Sequence, residues 1–216
     1  MANLFFKNSV KPFRRVTLVL GSAIVAFALN TAYAATPAEQ AMPQVELKTT
    51  EGNITIQLRP DIAPKTVDNF LAYVRDGFYE GTIFHRVIPG FMIQGGGYQK
   101  TLNKKETRAP IALETSKSAR NLRGTITMAR TNDPDSATSQ FFINLVDSRS
   151  LDAGVRGAGY AVFGDVTEGM GVVDAIAGMP TASRGFMNDV PVTPVIIQSA
   201  RVVGGDDQKT DAPAED

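Results

Sequence analysis

The sequence predicts a mostly β protein in which many short strands close into a barrel and two helices complete the fold. Short runs that alternate apolar and polar residues, or are rich in β-branched and aromatic residues, recur along the chain and are typical of strands. Turns rich in glycine separate these runs, and only two segments have the apolar spacing of a helix. A closed barrel is favoured because closure leaves no unpaired strand at a sheet edge. The chain is 43% apolar and can form one sizeable core, so we expect a single folded domain.

Residues 1–34 have the three features of a secretory signal peptide. Four basic residues precede an apolar run from Val16 to Leu29, and the small-x-small site Ala32-Tyr33-Ala34 follows. The run has 14 residues, fewer than the roughly 20 that a membrane-spanning helix needs, so a retained anchor is the weaker alternative. Twin-arginine export is weaker still, because the residues after Arg14-Arg15 match that signal poorly. We expect cleavage after Ala34 and a periplasmic protein, with secretion to the medium left open, and residues 35–44 as a linker.

The first elements after the linker are a β-hairpin and a helix. Apolar residues alternate with polar ones in residues 45–49 and again in residues 54–58, with a glycine turn between the two runs. From Pro64 to Asp76, apolar residues occupy the i, i+3, i+4 and i+7 positions of a helix with one buried face. Asp61 is a candidate cap for this helix, and Gly77 marks its end.

The rest of the chain contains further short strands, a second helix and a polar tail. The second helix is predicted at Met170–Ala177. Residues 204–216 contain five acidic residues, one basic residue and no large apolar one, so we expect a disordered tail rather than a partner-binding segment. Further strands are predicted at Thr82–Ile88, Phe91–Gln94, Ile111–Leu113, Thr125–Ala129, Gln140–Asn144, Ala161–Val166 and Val195–Val203.

Composition argues against several kinds of functional site. The chain has no cysteine and one histidine, which rules out disulfides, thiol chemistry and multi-histidine metal sites. Removal of residues 1–34 leaves 18 basic against 22 acidic residues, without the basic cluster that nucleic acid requires. An Asx turn explains Asn132–Asp135 better than a calcium site does, and Gly95–Gly97 lacks the lysine of a phosphate loop. We expect no metal and no cofactor, and we expect His85 to be a hydrogen-bonded core residue facing away from Arg86.

The most informative segment is the second predicted hairpin. It joins the run Thr82–Ile88 to Phe91–Gln94 through the turn signal Pro89-Gly90. In a hairpin, Arg86 lies near the side chains of the second strand, so a guanidinium stands at the edge of an apolar patch with the amide of Gln94 beside it. Such a site suits a neutral substrate with an apolar body and a polar amide.

Three blocks of the chain resemble the cyclophilin family of peptidyl-prolyl cis-trans isomerases. They are Phe84–Gly97, Gly124–Leu145 and Tyr160–Met170, and they occur in the family's order. The resemblance extends from about Val45 to Val203 and implies an eight-stranded antiparallel β-barrel capped by two α-helices in an isomerase domain of residues 45–203. It also implies a monomer that accelerates rotation about X-Pro bonds in exported, unfolded or partly folded polypeptides.

The same resemblance assigns roles to individual residues. Arg86 would be the catalytic residue, and Gln94 would orient it. The main chain at Ala129 and Arg130, together with the side chain of Gln140, would hold the substrate backbone. Four residues would form the proline pocket, namely Phe91, Met92, Phe142 and Leu151. Alternation along the strand sends the neighbouring Phe141 to the opposite face, so we expect it in the core.

Three positions depart from the common family pattern. Ser150 stands where many members have a tryptophan at the pocket rim, and Arg130 stands where asparagine is common. Tyr160, which we expect to contact the substrate, stands where many members have histidine. A rim tryptophan supplies apolar surface and an indole N–H that cyclosporin uses, so we expect weak cyclosporin binding.

Two alternatives to an isomerase remain open at this stage. The first is a proline-peptide-binding module or chaperone that uses the same groove without essential turnover. The second is a small-ligand barrel, which fits less well because the polar groups converge on one patch and not on a barrel mouth. We expect no nucleic-acid partner and, once the signal peptide is removed, no membrane association.

Overall fold

Eight antiparallel strands form one sheet in the computed structural model, which describes residues 42–203. The signal peptide and acidic tail predicted from the sequence, and most of the linker, lie outside these residues. Two further strands, β8 (Thr181–Arg184) and β9 (Met187–Pro191), form a separate hairpin. The sheet strands are β1 (Gln44–Thr49), β2 (Gly52–Leu58), β3 (Arg86–Ile88), β4 (Met92–Gly95), β5 (Thr125–Met128), β6 (Phe141–Asn144), β7 (Val162–Glu168) and β10 (Ile197–Val203).

The sheet curls without closing, so the prediction of a closed barrel was wrong. Its strands follow the order β10-β1-β2-β7-β5-β6-β4-β3, and it curves through 216° as a half-barrel. The two outer strands, β3 and β10, are not joined by a ladder. Residues 81–84 and 195–197, which lie beside these strands, make one isolated bridge, Ile83 to Ile196, and three backbone bonds of 2.8 to 3.0 Å. Ile83 N also bonds to Tyr98 O on the other side, but the bridges on both sides are isolated, so this segment forms no continuous ladder that would close the sheet.

The first hairpin is confirmed by strands β1 and β2. Val45 pairs with Ile56 and Leu47 with Ile54 across the ladder, and all four side chains are fully buried. The alternation in sequence therefore corresponds to one core-facing side of this hairpin.

Helix α1 (Pro64–Arg75) confirms the predicted apolar periodicity. Val67, Phe70, Leu71 and Val74 are buried, and Gly77 adopts a left-handed backbone (φ +64°) just beyond the helix. Helix α2 occupies Met170–Ala177, the range predicted from the sequence.

The cap of α1 is not the one predicted. Asp61 is engaged in an ion pair with Arg59, in which Nε and Nη2 donate to the carboxylate at 2.8 and 2.7 Å. Instead, the carboxylate of Glu114 accepts hydrogen bonds from Lys65 N at 3.1 Å and from Thr66 N at 2.6 Å. A negative charge is favourable at a helix N-terminus, so a distant residue supplies the cap.

The strand predicted at Ile111–Leu113 is reduced to a single bridge between Ile111 and Ala137. Strand pairing stops there because Leu113 N donates to the carboxylate of Asp135 at 2.9 Å instead of to a neighbouring strand. In the same loop Asp133 accepts a bond from Asp135 N at 3.0 Å, which is the Asx turn expected from the sequence.

The core lies on one face of the curled sheet. Phe141 is fully buried there, and its ring packs edge-on against Phe70 of α1 at a centroid distance of 5.7 Å. Ile93 and Ile143 belong to the same core, whereas their neighbour Phe142 does not. The opposite face of β4 and β6 is therefore available for a binding site. Within residues 42–203, no helix has the length and apolar content to cross a bilayer.

Candidate functional site

Strand register brings the predicted site residues together on the face opposite the core. Arg86 of β3 is paired with Gln94 of β4, Gln94 with Phe142 of β6, and Phe142 with Thr127 of β5. Directly paired residues point to the same side of a sheet and lie close together. These four side chains therefore form one row across four strands, with Met92 two residues before Gln94 on the same face.

A small cavity of about 130 Å³ opens beside this row, and we call it the Phe142 cavity. Met92 and Phe142 form its apolar part and are 3% and 5% exposed. Gln140, the one predicted site residue that does not line it, accepts a hydrogen bond from Gln94 Nε2 at 3.0 Å. The lining residues are Arg86, Phe91, Met92, Gln94, Ala129, Arg130, Phe142, Leu151 and Tyr160.

Tyr160 and Arg130 form one wall of the Phe142 cavity. The ring of Tyr160 stands edge-on to that of Phe142 at 5.8 Å, and the Arg130 guanidinium lies over the Tyr160 ring at 4.4 Å. Arg130 Nε also donates to Gly159 O at 3.0 Å. Because Arg130 is stacked and hydrogen-bonded, it stiffens the wall.

Leu151 lines the cavity from a short 3₁₀ helix, Arg149–Leu151. Tyr160 N donates to Leu151 O at 3.0 Å, so Leu151 is adjacent to the Tyr160 wall and is bonded to it. The next residue, Asp152, accepts bonds from Asn121 N at 2.7 Å and Asn121 Nδ2 at 3.1 Å. The segment that carries Leu151 is thus anchored on both sides.

A buried polar network lies next to the row of site residues, on the same face of the sheet. Asn144 Nδ2 donates to Thr125 Oγ1 at 2.9 Å, and Thr127 Oγ1 donates to Asn121 Oδ1 at 3.0 Å. All four residues are buried, so these bonds fix strands β5 and β6 relative to each other beside the site.

Ser150 lies at the rim, as the resemblance implied. It lines a broader depression of about 540 Å³ that shares Phe91, Arg130 and Tyr160 with the Phe142 cavity. The serine side chain leaves this depression open, since it supplies little surface.

The partner of Arg86 differs from the one implied by the resemblance. Within residues 42–203, Gln94 directs its amide at Gln140 and makes no hydrogen bond to Arg86. Arg86 Nε lies 3.8 Å from Asp189 Oδ2, and the two side chains are 44% and 42% exposed. Asp189 belongs to β9, so the separate hairpin provides the charge next to the arginine.

His85 is buried, but its predicted orientation was wrong. It lines, together with Arg86, a second cavity of about 400 Å³ that we call the hairpin cavity. Alternation fails here because residues 82–85 are not part of a regular strand. His85 Nδ1 is buried without a hydrogen-bond partner in the described part of the chain. Burial lowers the pKa of His85 to about 4, and the charge of Arg86 acts in the same direction.

No group of three or more histidine, cysteine, aspartate or glutamate side chains within residues 42–203 is arranged to hold a metal ion. The chemistry available at the site is that of two guanidinium groups, Arg86 and the stacked Arg130, several amides and an apolar cavity.

The sequence analysis missed the β8–β9 hairpin and with it Asp189. The available signal was Gly185, which has a left-handed backbone (φ +60°) between two short runs. The first run is mostly exposed, and neither run has a clear alternation of apolar and polar residues, so the usual strand pattern is absent.

Comparison with known proteins agrees with the geometry. Residues 44–202 match the family described as cyclophilin type peptidyl-prolyl cis-trans isomerase/CLD. Peptidyl-prolyl cis-trans isomerase cyp18 of Streptomyces antibioticus is 55% identical over 76% of this chain and 100% of its own length. Peptidyl-prolyl cis-trans isomerase A of Dickeya dadantii is 47% identical over 88% of this chain and 98% of its own.

A third relative, peptidyl-prolyl cis-trans isomerase B of Escherichia coli, is 50% identical over 73% of this chain and 98% of its own. Among solved structures, a cyclophilin type isomerase of Cryptosporidium parvum, crystallised in the presence of the dipeptide Ala-Pro, aligns with a TM-score of 0.66. It is 27% identical and covers 75% of this chain and 99% of its own. The chain belongs to the cyclophilin family and is a peptidyl-prolyl cis-trans isomerase.

Proposed function

We propose that this isomerase binds the proline of an unfolded or partly folded exported polypeptide in the Phe142 cavity and that Arg86 stabilises the twisted X-Pro amide. The observation that carries this proposal is the register of Arg86, opposite Gln94 and beside an apolar cavity of about 130 Å³. A cavity of roughly 150 Å³ lined by apolar side chains holds benzene. The Phe142 cavity is therefore suited in size to a single proline ring.

The barrier to be lowered arises from amide conjugation. Rotation about the peptide bond costs about 18 to 20 kcal/mol, because the C–N bond has partial double-bond character. In the twisted state conjugation is lost and the proline nitrogen gains a lone pair. A donor aimed at that nitrogen binds the twisted state better than the planar one, which is the requirement for catalysis.

Arg86 has the properties that this donor needs. Its guanidinium is always protonated and offers several N–H groups in a fixed plane. It stands at the junction of the Phe142 cavity and the hairpin cavity, since it lines both. The apolar side chains of Met92 and Phe142 exclude water from one side, which strengthens the interaction with the developing lone pair.

Gln94 and Gln140 would position the substrate backbone. Their mutual hydrogen bond holds both amides at the edge of the Phe142 cavity. Ala129 N is already bonded to Gln140 O at 2.9 Å, so strands β5 and β6 continue to this point as a rigid support. The role of Gln94 is then to hold Gln140 and the peptide, while the nearest charge to Arg86 is Asp189 on the hairpin side, in an exposed pair at 3.8 Å.

The central experiment compares Arg86→Ala with Arg201→Ala in a protease-coupled assay on a proline peptide. Arg201 is exposed on β10 and lines neither cavity, so it matches the loss of charge without touching the site. We expect Arg86→Ala to lower kcat/KM at least about tenfold, as loss of an electrostatic donor does, while the melting temperature changes little. Full activity in Arg86→Ala would remove Arg86 from the mechanism.

The same variant separates catalysis from binding. If Arg86→Ala has lost turnover but still suppresses aggregation of a refolding client as well as the wild type does, peptide binding without turnover is the relevant activity. If refolding assistance falls in parallel with turnover, the enzyme acts through isomerisation.

We also propose that the mature enzyme is exported, periplasmic and monomeric. The features of residues 1–34 support export. Expression of the full chain in a Gram-negative host, followed by fractionation and intact-mass analysis, should give a periplasmic product beginning at Ala35. Light scattering on that product should give the mass of one chain. A product that keeps residues 1–34 in the membrane fraction would contradict cleavage after Ala34, and a cytoplasmic product would contradict export.

A further inference from the structure

The hairpin cavity adjoins the proposed proline site. It shares Arg86 and Gln94 with the Phe142 cavity, so a peptide with its proline in the Phe142 cavity has a neighbouring residue at the mouth of the hairpin cavity. At about 400 Å³ the hairpin cavity has room for a long side chain. The lining residues are His85, Arg86, Gln94, Tyr98, Gln140, Phe186, Met187, Asn188 and Asp189.

The tip of the β8–β9 hairpin forms the outer wall of this cavity. Phe186 is 84% exposed and Met187 is next to it, so the wall presents apolar surface beside a substrate site. The polar residues Tyr98, Gln94 and Gln140 also line the cavity. A side chain with a long alkyl stem and a polar end would match both the apolar wall and these polar residues.

Asp189 gives the hairpin cavity its negative charge. It is the one acidic residue among those that line the cavity, and it faces Arg86 across 3.8 Å. Its backbone is left-handed (φ +60°), a conformation that aspartate and asparagine adopt more readily than most residues. The carboxylate repels an acidic substrate side chain and attracts a basic one, and it partly cancels the opposite preference of Arg86.

We propose that the hairpin cavity is a second substrate subsite, which takes the side chain of a residue flanking the proline. In this subsite Asp189 favours lysine or arginine over glutamate or aspartate, and Phe186 packs against the alkyl stem. The proposal rests on binding of the proline in the Phe142 cavity. Asp189 is accordingly a specificity-determining residue.

The test uses pairs of proline peptides that differ only in having lysine or glutamate at one flanking position, before or after the proline. The measured quantity is the ratio of kcat/KM for the lysine peptide to that for the glutamate peptide. The variant is Asp189→Asn, because asparagine keeps the shape and tolerates the left-handed backbone. Asp61→Asn is the matched control, since Asp61 also pairs with an arginine on the surface but lines neither cavity.

We expect Asp189→Asn to lower the lysine-to-glutamate ratio roughly three- to tenfold at one of the two flanking positions. Salt should compress the ratio in the wild type and have less effect in Asp189→Asn, because screening weakens charge interactions. Phe186→Ser should raise KM for the lysine peptide more than for an alanine peptide.

An unchanged ratio at both positions in Asp189→Asn would overturn the proposal, and so would an equal change in Asp61→Asn. These outcomes differ from failure of the proposed proline site. In that case Arg86→Ala would retain full turnover of the alanine-flanked peptide, whatever the ratio shows.

Discussion

Acidification should destabilise this protein through its single histidine. The buried His85 has a pKa of about 4 in the folded protein, against about 6.5 in an unfolded chain. Between these two values the unfolded chain binds a proton that the folded protein does not. The contribution of His85 to stability is therefore complete above pH 6.5, is lost progressively as the pH falls, and reaches its limit near pH 4.

The size of the effect follows from the gap between the two pKa values. At about 1.4 kcal/mol per pH unit, the full gap corresponds to about 3 kcal/mol, and about 2 kcal/mol is already lost at pH 5. Burial is the main cause, because it penalises the charged imidazolium, and the adjacent Arg86 adds repulsion. A loss of this size is a large part of the 5 to 15 kcal/mol that stabilises a typical domain.

The measurement is urea unfolding of the wild type and His85→Gln at pH 7.5, 5 and 4. Carboxylates titrate in both proteins, so the difference between the two isolates the histidine. We expect the wild type to lose about 2 kcal/mol more than the variant between pH 7.5 and pH 5. The chain contains one histidine, so the NMR titration of its imidazole gives the folded pKa without an assignment problem. Parallel stability curves, or an imidazole that titrates near 6.5, would refute the reasoning.

Three further substitutions test other parts of the structure. Glu114→Ala should lower the free energy of unfolding by about 1 to 2 kcal/mol, because α1 loses its cap, and should change kcat/KM little. Equal urea unfolding curves for the variant and the wild type would show that the cap does not contribute to stability. Gly97→Ala should lower kcat/KM roughly tenfold or more, because an added Cβ would lie 2.5 Å from Gln140 Cγ and displace that side chain. Gly171→Ala is the control and should have normal activity, since a Cβ added there meets no atom within 4 Å. Ser150→Trp should tighten cyclosporin binding by about one to three powers of ten, since it adds apolar surface and an N–H donor at the rim. Titration of both proteins with cyclosporin checks this, and equal affinity would show that another residue completes the rim.

Local patterns in the sequence were enough to predict the elements that depend on neighbouring residues. The spacing of Val67, Phe70 and Val74 predicts the buried face of α1, and alternation separates the core-facing Phe141 from the site-facing Phe142. These predictions succeed because a helix or strand fixes the direction of each side chain from its position alone.

The parts that failed depend on residues far apart in the chain. The cap of α1 comes from Glu114, 48 residues after Thr66, and no local pattern points to it. Asp189 lies about a hundred residues after Arg86 in the chain, in a hairpin whose strands lack the alternation of apolar and polar residues. The direction of His85 could not be predicted because its segment makes only isolated bridges and is not part of a regular strand, so alternation does not apply there.

The open edge of the half-barrel should let the active-site strand open before the rest of the protein unfolds. Strand β3, which carries Arg86, is the outermost strand, and the chain before it meets the β10 side through isolated bonds such as Ile197 N to Thr82 O at 2.8 Å. Local opening there costs less free energy than global unfolding, since few bonds must break. The amide of Ile197 should exchange with deuterium faster than those between β1 and β2. Activity should then be lost at a lower urea concentration than the circular dichroism signal of the folded protein. The catalytic strand would open first, while the rest of the fold stays intact.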